Sequence, residues 1–266
     1  MRITHLREII RQEGTPGPSA VEGTEGGFHG GVTAAGADDV QHGLPVRFVG
    51  ARDEAGQQDM SAGYYLLTLV LHDQSTSLGP FVSDYESHVV QNGLPDIAFH
   101  MKDLLHRHGD YEGIDQSVRK KLLIYFSIFM QKAPVRYKTF VYGSYDTDAK
   151  TLSARMRRDI VNFVYDNLEW FQSFDRVPIY YDEGQAAVTH ALHEAFDYLL
   201  GSGVADYRLI GYQDRRLAQA ADYFCSIELA AIRYERGEES NTYRKFYGLR
   251  GDFKRNFLKQ ARRKSI

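Results

Sequence analysis

The sequence predicts an α/β fold in which helices pack on the faces of a mixed β-sheet. Short apolar segments typical of strands alternate with longer segments whose apolar residues recur at helical spacing. One of the strand segments, residues 63–71 (GYYLLTLVL), is apolar enough to lie centrally in a sheet. Alternation of this kind favours a sheet that is covered by helices.

The pattern gives an expected range for each element. Strands are expected at residues 46–49, 63–71, 96–100, 135–142, 177–182 and 207–211. Helices are expected at residues 115–131, beginning at an Asp115 cap, and at residues 147–171, 186–200 and 214–234. In mixed and parallel sheets functional side chains gather at the carboxyl ends of strands, so acids at those ends are the first candidates.

The bulk composition excludes several classes of protein. The chain has 266 residues, 43% of them hydrophobic and 25% charged, with a net charge of -3. These are ordinary globular values with no overall attraction to nucleic acid or anionic membranes. The longest apolar run spans residues 64–71, whereas a membrane helix needs about 20 residues. With no signal peptide and a single cysteine, Cys225, in an apolar stretch, we expect a cytoplasmic protein with a buried thiol.

The chain divides into three predicted parts. Residues 1–44 are expected to be a flexible, poorly ordered leader, because residues 13–44 are rich in Gly, Ala, Thr and acids and lack large apolar side chains. Residues 45–240 are predicted to form the α/β domain. Residues 241–266 are predicted to form a basic C-terminal helix or tail.

Three aspartates stand at positions where acids can carry chemistry. Asp53 follows the first strand, Asp182 ends a later strand, and Asp222 lies inside an apolar helix. A buried carboxylate is costly unless it is paired, hydrogen-bonded or bound to a metal. Each also has a plain structural explanation: a turn residue for Asp53, a helix cap for Asp182, and a cap or core hydrogen bond for Asp222.

Two further groups are candidates. His100 and Asp103 could add a metal ligand or a proton-transfer pair. Near the C-terminus, cations alternate with aromatic residues, which suits either a phosphate-contacting arm or a docked helix with an ordinary solvated face. The cations proposed to contact phosphates are Lys254, Arg255, Lys259, Arg262 and Arg263.

Several short motifs resemble a bacterial and phage family, domain-of-unknown-function family 3800. Residues 53–56 (DEAG) resemble its DESG signature, and residues 181–183 (YDE) its late strand aspartate. Residues 219–223 (QAADY) resemble its Q-x-A-D helix, and residues 99–103 its middle acidic and histidine motif. The resemblance spans about residues 46–236.

The resemblance implies a ribonuclease-H-like fold with acids placed for metal-dependent phosphodiester chemistry. It nominates Asp53, Asp182 and Asp222 as catalytic ligands of Mg²⁺ or Mn²⁺, with His100 and Asp103 as further ligands. Carboxylates are the ligands that Mg²⁺ prefers, and two such ions can activate water for phosphodiester cleavage.

The leading hypothesis is therefore a metal-dependent nuclease or related phosphoryl-transfer enzyme whose partner is nucleic acid. The alternative is a non-catalytic nucleic-acid-binding or protein-interaction module with the same fold. Arg52 directly before Asp53 favours that alternative, because an apolar strand residue is expected there.

Overall fold

The computed structural model describes residues 46–52, 63–143, 149–181, 186–201, 204–209 and 216–266. The chain divides into two compact units, residues 1–39 and residues 40–266, and every described residue belongs to the second unit. The leader predicted over residues 1–44 lies outside the described residues.

The described strands form one mixed sheet, which confirms the predicted α/β class. They are β1 (Val46–Arg52), β2 (Tyr64–His72), β3 (Val135–Gly143), β4 (Val177–Tyr181) and β5 (Ala205–Leu209). Their order across the sheet is β3-β2-β1-β4-β5. β2 is antiparallel to β1 and β3, whereas β1, β4 and β5 run parallel to one another. The carboxyl ends of β1 and β4 therefore point toward the same edge of the sheet.

Helices account for most of the remaining described chain. They are α1 (Gly79–Gln91), α2 (Met101–His106), α3 (Gln116–Lys132), α4 (Ala149–Asp166), α5 (Leu168–Phe171), α6 (Ala186–Leu200), α7 (Arg216–Arg236), α8 (Asn241–Tyr247), α9 (Arg250–Phe253) and α10 (Lys259–Arg262). A 3-10 turn lies at Gly109–Tyr111, and a π-helical turn (Lys254–Leu258) joins α9 to α10.

One face of the sheet is covered by α4, α5 and α6. Leu67 and Leu69 of β2 are buried in a cluster with Ile160, Phe171 and Phe196 from these helices. The apolar residues of α4 recur at helical spacing, so one stripe of the helix faces the sheet.

The other face is covered by α7, which packs on β1 and β2. Cys225 and Leu229 of this helix contact Leu66 of β2, and Cys225 is 1% exposed, as its apolar setting predicts. Phe224 stacks on Tyr137 of β3, with 4.2 Å between the ring centroids. This packing brings the middle of α7 over the strands that lead to the predicted site.

The predicted strand at residues 96–100 is wrong: these residues have no regular structure and lead into α2. One side chain, that of Tyr111, binds the backbone of this segment. The Tyr111 hydroxyl donates to the Ala98 carbonyl oxygen at 3.1 Å and accepts from the His100 amide at 3.3 Å. An extended segment that is satisfied in this way has no need of a sheet partner.

The single helix predicted over residues 147–171 is divided into α4 and α5 at Asn167. The Asn167 side-chain amide donates to the Phe163 carbonyl oxygen at 2.8 Å. Asparagine competes in this way with the helical backbone bond, which explains the break. Among the described helices, none is both long and apolar enough to serve as a membrane span.

Candidate functional site

The sheet edge where β1 and β4 end is the first part of the candidate site. Arg52 ends β1 and Tyr181 ends β4, so Asp53 and Asp182 are the next residues in the chain. Both aspartates lie outside the described residues. Phe48 pairs with Tyr181, so β1 continues four residues beyond the end of β4, about 13 Å at the usual rise per residue.

Asp222 is described in full and is 6% exposed. It lies one helical turn before Cys225 and two turns before Leu229, and residues at this spacing share a helix face. Its carboxylate oxygen Oδ2 accepts a hydrogen bond from the Met101 backbone amide at 2.6 Å. Asp222 therefore binds the first residue of α2, which is the cap role left open by the sequence.

The His100–Asp103 pair lies at the same end of α2. His100 is the N-cap residue of α2, and its Nδ1 lies 3.0 Å from Asp103 Oδ2 and 3.4 Å from the Asp103 backbone nitrogen. The two side chains are 35% and 31% exposed. The pair is more accessible to solvent than Asp222. This accessibility suits proton transfer better than the binding of a buried metal ion.

The structure thus brings together two segments more than a hundred residues apart. Asp222 and residues 100–103 meet at the start of α2, although their side chains form capping contacts there. Within the described ranges, no group of three or more His, Cys, Asp or Glu side chains is arranged to hold a metal ion. A metal centre built on Asp222 would need at least one ligand from outside the described residues, where Asp53 and Asp182 lie.

The predicted basic arm is a docked helix that leads from α9 to α10. Phe253 and Phe257 are buried, 1% and 7% exposed, and fix one face of the segment to the domain. Four predicted phosphate contacts, Lys254, Arg255, Lys259 and Arg263, are exposed. Arg255 pairs with Asp252 at 2.7 Å, and Arg263 donates to the Gln260 side-chain oxygen at 2.9 Å.

Arg262 differs from its neighbours because it is part of an ion pair with α7. Its Nη2 and Nε donate to the two carboxylate oxygens of Glu228 at 2.8 and 3.2 Å. Glu228 also accepts from the buried Tyr137 hydroxyl at 2.7 Å. The hydrogen bond to Glu228 raises the pKa of the Arg262 guanidinium, and burial raises the pKa of Tyr137. Arg262 has a structural role.

Sequence reasoning missed a cleft beside the amino end of α7. Its volume is about 820 Å³, and its polar lining includes Glu86, Asp96, Arg216 and Gln219. Arg216 and Gln219 precede Asp222 at three-residue spacing, on one helix face. That spacing was visible in the sequence, and Gln219 is part of the QAADY motif.

Comparison with known proteins adds no assignment. No family model matches the chain, and no curated protein resembles it.

Proposed function

We propose that this chain is a Mg²⁺- or Mn²⁺-dependent nuclease or related phosphoryl-transfer enzyme that uses Asp53, Asp182 and Asp222. The observation that carries the proposal is the position of Asp222. This carboxylate is 6% exposed on α7, the helix that packs on β1, and two other aspartates follow directly on β1 and its parallel neighbour β4. Acids that follow parallel strands and meet a third acid from a covering helix suit a metal site.

A ribonuclease-H-like fold is part of the proposal, and the strand order supports it. The described sheet has the order β3-β2-β1-β4-β5, in which β2 is antiparallel to β1 and β3 and both β4 and β5 run in the direction of β1. A mixed sheet covered by helices on both faces is compatible with that fold. The motif resemblance to domain-of-unknown-function family 3800 implies the same fold.

The pleat of the strands also favours convergence of the three acids. Tyr65, the partner of Arg52, and Ile179 of β4 both pack on the face covered by α4 and α6. Successive residues of a strand face opposite sides. A strand continued by one residue past Arg52 or past Tyr181 would direct its aspartate to the α7 face, where Asp222 lies.

Convergence makes one demand on the backbone. Since β1 passes the end of β4 by about 13 Å, the chain after Arg52 has to turn back if the first aspartate is to reach the second. The sequence Asp53-Glu54-Ala55-Gly56 contains the residue types that permit such a turn.

The chain's own residues would have distinct roles. Asp53, Asp182 and Asp222 would hold the ion through carboxylate oxygens, and the Met101 amide would orient Asp222. The ion would supply Lewis-acid activation of water and stabilise the leaving oxygen. His100, held by Asp103, would transfer a proton through its imidazole ring, and Lys254, Arg255, Lys259 and Arg263 would bind backbone phosphates.

The test is cleavage of labelled single-stranded DNA and RNA in the presence of Mn²⁺. We expect cleavage that EDTA abolishes and that Asp182→Asn and Asp222→Asn each reduce at least about 100-fold. Asp166→Asn, an exposed acid at the end of α4, is the matched control and should cleave normally. Cleavage that survives EDTA, or that persists in both site variants, would overturn the proposal.

A non-catalytic nucleic-acid-binding module is the second candidate function. The 2.6 Å hydrogen bond between Asp222 and the Met101 amide favours it, because that bond alone gives the buried acid a structural purpose. The module would bind nucleic acid through the same exposed cations but would show no affinity for Mn²⁺.

A further inference from the structure

The cleft beside the amino end of α7 has the composition of a ligand site. Leu78, Val82, Ile97 and Leu217 provide apolar walls, and the volume of about 820 Å³ is in the usual range for ligand pockets. Burying apolar surface against such walls supplies affinity, while a few polar groups select the ligand. The polar groups of this cleft therefore identify what it accepts.

The charges of the cleft are mostly negative. Among the described lining residues, Glu86, Asp96 and Asp110 provide three carboxylates and Arg216 provides one guanidinium, which leaves two negative charges. The Arg216 guanidinium is already bound within the protein, since it pairs with Glu86 at 2.7 Å and lies over the Tyr85 ring at 5.1 Å. Asp96 lies further from Arg216, at 3.7 Å, with a side chain 73% exposed. The remaining charge repels phosphates and attracts cations.

Gln219 provides a hydrogen-bond donor that the protein leaves unused. This residue is 1% exposed and lines the cleft, and its side-chain oxygen accepts from Arg216 Nη1 at 3.0 Å. Among the described residues, no acceptor binds its amide nitrogen. A ligand carbonyl oxygen at this point would accept from the amide, which would favour a ligand that presents one.

We propose that the cleft binds a peptide segment that presents an arginine or lysine side chain. The cationic group would lie between Asp96 and Asp110, and a backbone carbonyl oxygen next to it would accept from Gln219. The aliphatic part of the side chain would pack on Ile97 and Leu217, as long basic side chains do on apolar surface. The proposed contacts use none of the proposed catalytic acids, so the inference does not depend on them.

The test uses the full chain and two probes that differ in charge alone. Acetyl-Gly-Arg-Gly-amide is titrated by NMR, with the matching citrulline peptide, which keeps the shape and the carbonyls but is neutral. We expect the arginine peptide to bind at least about threefold more tightly than the citrulline peptide. Equal affinity for the two peptides, or no binding of either, would overturn the proposal.

The protein variants then locate the site. Asp96→Asn is expected to weaken binding of the arginine peptide about two- to fivefold, since exposed ion pairs contribute little each. Asp166→Asn changes the net charge by the same amount outside the cleft and should bind as the wild type does. Because Asp96 is largely exposed, folding is expected to be unaffected. Equal weakening in both variants would show general electrostatic attraction and overturn the site.

Discussion

Asp222 and Glu228 lie on the same helix, α7, and are both largely buried, but their surroundings differ. Glu228, with a side chain 13% exposed, faces a guanidinium and a phenol, Arg262 and Tyr137, and its charge is matched by a cation. Asp222, 6% exposed, receives the Met101 backbone amide. An amide hydrogen bond orients a carboxylate without cancelling its charge.

Under the proposed function, the difference separates Glu228, an acid that holds the fold, from Asp222, an acid that would bind a metal ion. Glu228 joins α7 to α10 through its ion pair with Arg262. It also joins α7 to β3 through the hydrogen bond from the Tyr137 hydroxyl. Asp222 is held in one orientation over the strands that lead to Asp53 and Asp182. The predictions below are designed to break or sharpen this distinction, beginning with the largest expected effect.

The largest effect is expected on stability, at Glu228. Glu228→Ala removes the partner of Arg262 and of the buried Tyr137 hydroxyl, so the free energy of unfolding should fall by about 2 kcal/mol. Asp222→Asn keeps the size of the side chain and an oxygen that accepts from Met101, and should lose less than about 1 kcal/mol. Urea unfolding of both variants measures the difference. A larger loss in Asp222→Asn would mean that Asp222 is the structural acid.

A second prediction separates Arg262 from the exposed cations. If Arg255, Lys259 and Arg263 contact phosphates, replacing all three with Ala should flatten the slope of log K against log salt by about 2.1 to 2.7 units. Arg262→Ala should change that slope less and lower stability more, because Arg262 is held by Glu228.

Filter-binding titrations at several salt concentrations give both slopes. An unchanged slope in the triple variant would show that these cations form only a solvated face. A stability loss in the triple variant as large as that of Arg262→Ala would contradict the distinction between them.

The smallest predicted effect concerns pH and His72. This histidine is 4% exposed, its Nδ1 lies 3.0 Å from the Pro134 carbonyl oxygen, and burial lowers its pKa below the usual value. As the pH falls, the imidazole of the unfolded chain gains a proton near pH 6.5, whereas the imidazole of the folded protein gains it at a lower pH. The neutral imidazole therefore makes its full contribution to the free energy of unfolding above about pH 6.5. That contribution is lost as the pH falls below this value.

His72→Gln should accordingly show a smaller decrease in unfolding free energy between about pH 7 and pH 5.5 than the wild type. Glu228→Gln should keep the wild-type decrease over this range, which separates the histidine from the acids of α7. An identical pH response in His72→Gln and the wild type would exclude His72 as its source. Urea unfolding at several pH values provides the measurement.

The sequence predicted those elements that their own residues determine. The apolar run of β2 and the stripes of α3 and α7 carry enough signal to be located within about two residues. Helix α1 was missed because its sequence (GPFVSDYESHVVQ) begins with Gly and Pro and includes β-branched residues. Residues 96–100 were assigned wrongly because the hydroxyl of Tyr111, outside the segment, binds their backbone.

The candidate site was predictable in part for the same reason. A carboxylate in an apolar helix identified Asp222, since burial of a charge is visible in the pattern around it. The contact with Met101 was not predictable, because it joins two segments 121 residues apart. The ion pair of Arg262 with Glu228 was not predictable either, because the sequence near Arg262 does not indicate which residue of another helix it contacts.

The most direct test of the account is calorimetric titration with Mn²⁺ of the wild type, Asp222→Asn and Glu228→Gln. The account predicts a binding heat in the wild type, at least a tenfold loss of affinity in Asp222→Asn, about 1.4 kcal/mol, and unchanged affinity in Glu228→Gln. No heat in the wild type, or equal losses in the two variants, would contradict it.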